Sequence, residues 1–266
     1  MAPTNDDLEL ALRLADAADV ITLDRFGALD LQVTSKPDLT PVTDADQGVE
    51  RAIREVLAVE RPDDAVLGEE FGVTGDAVRR WVIDPIDGTK NFVRGVPVWS
   101  TLIALMDESG VAVGVISAPS LNRRWFAVRG GGSWAMSTGQ SADEARPIQV
   151  SKVGALSDAS LGYSDFDGWG FHRGREPFIA LMDAVWRTRA YGDFWTYCMI
   201  AEGSLDVGVE PIVTLWDLAP LALLVTEAGG RFTGVNGLEG PQHGSAVATN
   251  GLLHDAVLSV LGPAGF

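Results

Sequence analysis

The chain has 266 residues, 46% of them hydrophobic, with 30 glycines and a formal net charge of −17 at neutral pH. That length can bury a large core, as one big domain or two intimate halves, and the acidic balance argues against nucleic acid or anionic membrane partners. No stretch approaches ~18 consecutive apolar residues, so a membrane span is not expected, and a single cysteine, Cys198, excludes an internal disulfide and fits a reducing cytoplasm.

In chain order, residues 5–28 carry Leu8, Leu12, Ala15 and Ala18 at helical spacing, and the early acids do not read as a secretory signal. "KPDLTPVTDAD" (36–46) is a polar loop with two prolines that feeds a second helix from about Thr43 to Glu60. Thr43 can cap that helix, with Asp46 in its first turn. "DAVLGEEF" and "RRWVID" read as short strands ending in acids. From 99 to 136, "WSTLIALM", "GVAVGVISA" and "RRWFAVRG" alternate with turn residues, and the intervening "DESG" signals a hairpin and an antiparallel sheet. After about residue 150 strands and helices alternate, with helices expected near 174–187, near 194–203, from about Trp216 to a glycine cap at 229–230, and in "GLLHDAVLSVL". These textures predict an α+β half over 1–150, with the antiparallel sheet and most of the chemistry, and an α/β half over 151–266.

Acids stand where strands or loops end: Asp46, Glu69–Glu70, Asp84 with Asp87, and Asp217. All are oxygen donors, and no Cys/His cluster accompanies them, so a hard divalent cation such as Mg²⁺ suits the set. In "WVIDPIDGTKNF" (81–92) such ions would supply the counter-charge that lets Asp84 and Asp87 share a buried strand end. There Ile86 can lend its backbone carbonyl, Gly88 permits close backbone approach, and a short helix from Gly88–Thr89 offers free N–H groups to an anion. Thr89 can orient a water if an acceptor takes its hydroxyl proton. A turn of solvated aspartates is the plainer alternative. His172, His243 and His254 lack metal spacing and are expected on the surface or in loops.

"GEEF", "WVIDPIDGTKNF" and "LWDLAPLALLVTEAGG" resemble the signature segments of the inositol monophosphatase superfamily of Mg²⁺-dependent, lithium-sensitive phosphatases. The resemblance spans essentially the whole chain and implies a layered α-β-α-β-α sandwich, usually a homodimer. It implies that Glu69, Asp84 and the Ile86 carbonyl hold one ion, that Asp84, Asp87 and Asp217 hold a second, and that a third sits loosely near Glu69, with Mn²⁺ as an alternative to Mg²⁺. Thr89 paired with Asp46 would activate the attacking water, with Glu69 in the catalytic set, while the amides of Gly88 and Thr89 hold phosphate. Lys36 matches a loop lysine near the site. Glu70, beside Glu69 on a strand, is expected to point away into a structural role, and the helix dipole should favour the carboxylate of Asp217. Two residues between Asp84 and Asp87, rather than one, argue against an aspartyl nucleophile of the haloacid-dehalogenase kind.

For the substrate, Asp193 follows Gly192 where the family commonly has a small hydroxyl residue, and Glu210 matches a position that contacts the organic part of the ester. Two acids facing the leaving group suit an amine or imidazole, and Trp195 can stack on a ring. "RTRAYGD" and the Lys90 after Thr89 are similar to the histidinol-phosphatase branch, actinobacterial type. The expectation is therefore hydrolysis of L-histidinol phosphate in the cytoplasm, with inositol-1-phosphate as the runner-up substrate and a catalytically silent metal-binding protein as the contrasting class. The competing reading of Asp193 is a helix N-cap.

Overall fold

The computed structural model describes residues 5–37, 39–172 and 174–262, without the side chain of His172. Helix α1 (Asp6–Arg25) starts where the Asn5 side chain accepts from the Leu8 amide. It packs against α2 (Asp44–Glu60), which opens with a capping box between Thr43 and Asp46. Between the helices the expected polar loop contains an antiparallel ribbon, β1 (Val33–Ser35) with β2 (Pro41–Thr43). The prolines at 37 and 41 hold Lys36 and Thr40 in extended backbone, and the Lys36 amide donates to the Thr40 carbonyl across the turn. Pairing of two short edges is a tertiary outcome that a loop composition does not announce.

The larger sheet is built from β3 (Ala65–Gly68), β4 (Gly72–Thr74), β5 (Arg80–Asp87), β6 (Ser100–Asp107), β7 (Gly110–Ala118), β8 (Arg123–Val128), β9 (Gly132–Met136) and β10 (Arg146–Ile148), with the short helix α3 (Thr89–Val93) after β5. Its strand order is β10-β9-β8-β7-β6-β5-β3-β4, antiparallel except for the β3/β5 pair. The smaller sheet takes β11 (Ser160–Gly162), β12 (Arg187–Arg189), β13 (Val207–Glu210), β14 (Arg231–Thr233) and β15 (Ala246–Thr249), in the order β12-β11-β13-β15-β14. Around these run α4 (Asp167–His172), α5 (Arg175–Ala184), α6 (Asp193–Ala201), α7 (Leu215–Glu227) and α8 (His254–Leu261).

The layers follow from which faces are apolar. α1 and α2 cover one face of the larger sheet, and Leu8, Leu14, Val49, Ile53, Trp81, Ile103 and Phe126 form the core there. α6 and α7 cover its other face and contact the smaller sheet from inside. Val82, Leu102, Trp125, Tyr197, Leu218, Leu224 and Phe232 fill that middle layer, so residues from both sides of position 150 share one core. α5 and α8 close the outer face over Leu161, Phe178, Val207 and Val257. The result is the α-β-α-β-α sandwich. Cys198 is buried in the middle layer. His254, expected on the surface, is instead a core residue: both ring nitrogens lie within hydrogen-bond distance of Thr233 and Thr249, and burial lowers its pKa to about 4. No helix among the described residues is long and apolar enough to cross a membrane.

Candidate active site

Residues three apart on a regular strand face opposite sides, so Asp84 and Asp87 should not meet. They do, because β5 gains one residue on β6 between the pairs Asp84↔Leu102 and Asp87↔Ser100. That bulge turns both carboxyls to one side of the sheet. Asp217, in the first turn of α7, comes to the same point, and one carboxylate oxygen from each of the three lies within 4.8 Å of the others. Asp84 and Asp87 are buried, and Asp84 Oδ1 has no hydrogen-bond partner. Burial, followed by the neighbouring charges of Glu69, Asp87 and Asp217, pushes the Asp84 carboxyl well above its ordinary value. Burial and the charges of Asp193 and Asp217 do the same to Asp87, against the Phe194 amide that donates to its Oδ2 at 2.7 Å. Asp217 is raised too, mainly by burial, although the Thr214 amide and hydroxyl both donate to its Oδ2 at 2.8 Å. At Asp217 desolvation therefore acts against the charged form that a helix N-terminus favours.

An orphaned buried oxygen amid three converging, mutually repelling carboxyls, all oxygen donors, fits a hard divalent cation. A consequence follows for the metal-free protein. A carboxyl whose pKa is raised on folding binds more protons folded than unfolded, so stability is full below the unfolded value near 4 and is lost as pH rises through the folded value. Asp46 and Asp193, at about 6, and Glu210, at about 8, set that window. In chelator, the unfolding temperature should fall between about pH 5 and pH 8, and a divalent cation should remove most of the fall. A chelated protein whose unfolding temperature rises steadily over this range in scanning calorimetry would refute the assignment.

Past the bulge, Gly88 adopts φ +87°, and a Cβ there would come 3.1 Å from the Val98 carbonyl and 3.3 Å from Asp193 Oδ2. Only glycine permits both the left-handed turn and this approach. Thr89 starts α3, and its hydroxyl lies 3.0 Å from the Ile86 carbonyl and 3.4 Å from Asp46 Oδ1. Asp46 Oδ2 is held by the Thr43 amide at 2.8 Å and the Thr43 hydroxyl at 2.5 Å, leaving Oδ1 toward Thr89. Burial lifts its carboxyl to about 6 against those bonds.

Glu69 and Glu70 lie in the turn after β3, not on the strand, so strand alternation does not separate them. Glu70 does not point away: Lys36 Nζ lies 2.7 Å from an oxygen of each. Burial works against the charge of Lys36, but hydrogen bonds to the two carboxylates outweigh it and raise its pKa. The charge of Glu69 is felt at Asp84, whose carboxyl it helps to raise.

On the opposite flank, Gly192 is the N-cap of α6 at φ +78°, and Asp193 is the first helical residue, itself at φ +48°. The capping reading of Asp193 fails because Gly192 holds that position and no side chain caps this helix. Asp193 Oδ2 instead faces Asn91 Nδ2 at 3.4 Å, and Asn91 is anchored on the Val98 carbonyl at 2.9 Å. Burial and the charge of Asp217 raise Asp193 to about 6, opposed by the exposed Lys90. Glu210, at the end of β13, is buried and lifted by burial to about 8. Ser164 joins the two acids: its hydroxyl donates to Glu210 Oε1 at 2.5 Å and accepts from the Asp193 amide at 2.9 Å. Neither Ser164 nor Asn91 stands out in the sequence; Ser164 adjoins Asp165 in "YSD", but Asn91 follows a lysine and has no acid beside it. Trp195 packs, partly buried, against the middle core beside Phe194.

The inositol monophosphatase family model matches residues 6–262. A histidinol-phosphatase from Mycobacterium tuberculosis is 58% identical over 261 residues, covering 97% of this chain and 98% of that protein. A histidinol-phosphatase from Streptomyces coelicolor is 57% identical over 260 residues, covering 96% and 97%. Among solved structures, the extragenic suppressor protein suhB from Bartonella henselae matches with a TM-score of 0.87 at 27% identity, over 97% of this chain and 98% of that one.

Proposed function

We propose that this chain, a phosphoric monoester hydrolase that belongs to the histidinol-phosphatase branch of the inositol monophosphatase family, hydrolyses L-histidinol phosphate with Mg²⁺ held by its converging acids. The observation that carries the substrate is the second pair of acids, Asp193 and Glu210, bridged by Ser164 beside the cluster of Asp84, Asp87 and Asp217. Two such acids can accept hydrogen bonds from polyol hydroxyls, but they suit an ammonium or imidazolium group better, through charge-assisted bonds. The relatives named histidinol-phosphatase support the same reading.

Glu69, Asp84 and the Ile86 carbonyl would hold one ion, and Asp84, Asp87 and Asp217 a second; a third would sit near Glu69, as the resemblance implies. Bound there, the ions neutralise phosphate and leaving-group charge and lower the pKa of water. The chain's own groups do the rest. The amides of Gly88 and Thr89 receive phosphate oxygens at the start of α3. The Thr89 hydroxyl accepts a hydrogen bond from the attacking water while passing its own proton toward Asp46 Oδ1. Water oxygen adds to phosphorus, its proton moving to the Thr89 oxygen, as the P–O bond to the alcohol breaks. The alcohol oxygen takes a proton from solvent water, so histidinol and phosphate leave and Asp46 returns its proton to solvent. Asp193, oriented by Asn91 and the Ser164 contact at its amide, meets the substrate's cationic end. Two copies of the chain would form a homodimer, as the family resemblance implies.

The test is kcat/KM on histidinol phosphate, inositol-1-phosphate and a neutral aryl phosphate, for wild type and Asp193→Ala. Wild type should favour histidinol phosphate over inositol-1-phosphate by more than about tenfold. A charge-assisted hydrogen bond is worth about 1.5–3 kcal/mol, so Asp193→Ala should lose about 10–100-fold on histidinol phosphate, mostly in KM, and little on the aryl ester. A tenfold preference for inositol-1-phosphate would overturn the substrate, and equal losses on both esters would remove Asp193 from recognition.

A further inference from the structure

We propose that Glu50 is a positioning residue for the cation site: its carboxylate fixes the turn that carries Glu69, and Arg54 locks that carboxylate in place. The inference rests on the reading of Glu69 as a cation ligand.

Glu50 lies one helical turn after Asp46 on the buried face of α2 and is fully buried. A buried carboxylate is costly unless every lone pair finds a donor, and here each oxygen does. Oε2 accepts from the Glu70 amide at 2.7 Å, while Oε1 accepts from the Phe71 amide at 3.2 Å and from Arg54 Nε at 2.8 Å. Arg54 then spans the turn, with Nη2 on the Gly72 carbonyl and Nη1 on the Thr74 hydroxyl. All three guanidinium nitrogens are thereby used, one on Glu50 and two on β4.

The strand leaves room for this carboxylate. A Cβ at Gly68 would sit 1.9 Å from Glu50 Oε1, so glycine is required by the approach of the helix side chain rather than by its own torsions. Gly68 pairs with Gly72 across the β3–β4 connection, and Glu69, Glu70 and Phe71 are the residues between. With the amides of Glu70 and Phe71 both tied to one buried carboxylate, the peptide planes after Glu69 cannot rotate freely. The side chain of Glu69 is thus kept where its Oε1 meets Lys36 Nζ at 2.7 Å and its charge is felt at Asp84. Asp46 and Glu50, four residues apart on one helix face, make α2 a common strut. Its first turn orients the acceptor for Thr89, and its second turn orients the loop of Glu69.

Residues that orient metal ligands typically change metal affinity by about 10–100-fold when replaced. Titration calorimetry of Mg²⁺ into wild type, Glu50→Gln and Arg54→Met tests the role, with unfolding temperatures measured in chelator. Glu50→Gln keeps the shape but sets an NH₂ group against donors, and should raise the Mg²⁺ Kd about tenfold. Saturating Mg²⁺ should restore most of kcat, with KM for the ester near wild type. Arg54→Met, at a partly exposed position, should shift Kd in the same direction, and it decides the matter if Glu50→Gln does not fold. A lowered unfolding temperature with Kd within twofold of wild type would make Glu50 merely structural and overturn the inference. Wild type that binds no Mg²⁺ would instead overturn the metal reading on which it rests.

Discussion

Replacing Asp84 with asparagine is expected to lower kcat on the order of 10³-fold while making the metal-free protein more stable. The two effects have one origin. Asp84 is the carboxylate proposed to be shared between ions, and a shared charge neutralises phosphoryl oxygens by several kcal/mol, about 1.4 kcal/mol per factor of ten in rate. Without the ions the same group is a liability: it is buried, one oxygen has no partner, and Glu69, Asp87 and Asp217 repel its charged form. Asparagine keeps the shape and never ionises, so the penalty disappears, and the gain should grow from pH 5 to pH 8 as wild-type acids ionise. At this chain length each kcal/mol moves the unfolding temperature by about 2–4 °C. Steady-state kinetics at saturating Mg²⁺ and scanning calorimetry in chelator read both effects. Turnover near wild type would defeat the shared-ligand model, and a lower unfolding temperature would mean that Asp84 holds the fold rather than the ions.

That opposition of function and stability was partly legible before any coordinates. Periodicity located α1, α2, the β6–β7 hairpin and α7 within a few residues, because each buries one continuous apolar face. Local chemistry located Thr43 as the cap of α2, because donor and acceptor are close in sequence; the return bond from Asp46 that completes the capping box came from the structure. What stayed hidden needed partners distant in the chain. Nothing in "WVIDPIDG" reveals that β6 is one residue short opposite it, yet the bulge decides that Asp84 and Asp87 face together. Glu69 and Glu70 were separated by strand alternation in the sequence, but the chain turns at once after Gly68, where Glu50, eighteen residues upstream, holds the amides of Glu70 and Phe71. Asp193 had the residue type of a cap, but Gly192 with positive φ took that place, leaving the carboxylate free for Asn91 and for ligand. The acids were thus visible as a set, and their orientation came from backbone features that a linear pattern does not encode.

The same logic singles out the Thr89 hydroxyl. Thr89→Val removes one oxygen with almost no change in volume, and should reduce kcat by about 10²–10⁴-fold, the usual worth of positioned proton transfer. KM should change little, because the amide of residue 89 still faces the phosphate. In the structure the hydroxyl is shared between the Ile86 carbonyl at 3.0 Å and Asp46 Oδ1 at 3.4 Å. Proton acceptance by Asp46 requires its ionised form; burial sets that transition at about 6 without cations, and bound cations move it lower. Activity on an aryl phosphate with an uncharged ring, which does not depend on Asp193, should therefore fall on the acid side, at or below about pH 6, in wild type. Thr89→Ser, which restores the hydroxyl, should recover most of kcat together with that acidic limb. If Thr89→Val loses less than tenfold, or if Thr89→Ser is as slow as Thr89→Val, the hydroxyl plays no part in water activation. The side chain would then serve only to start α3 beneath the phosphate.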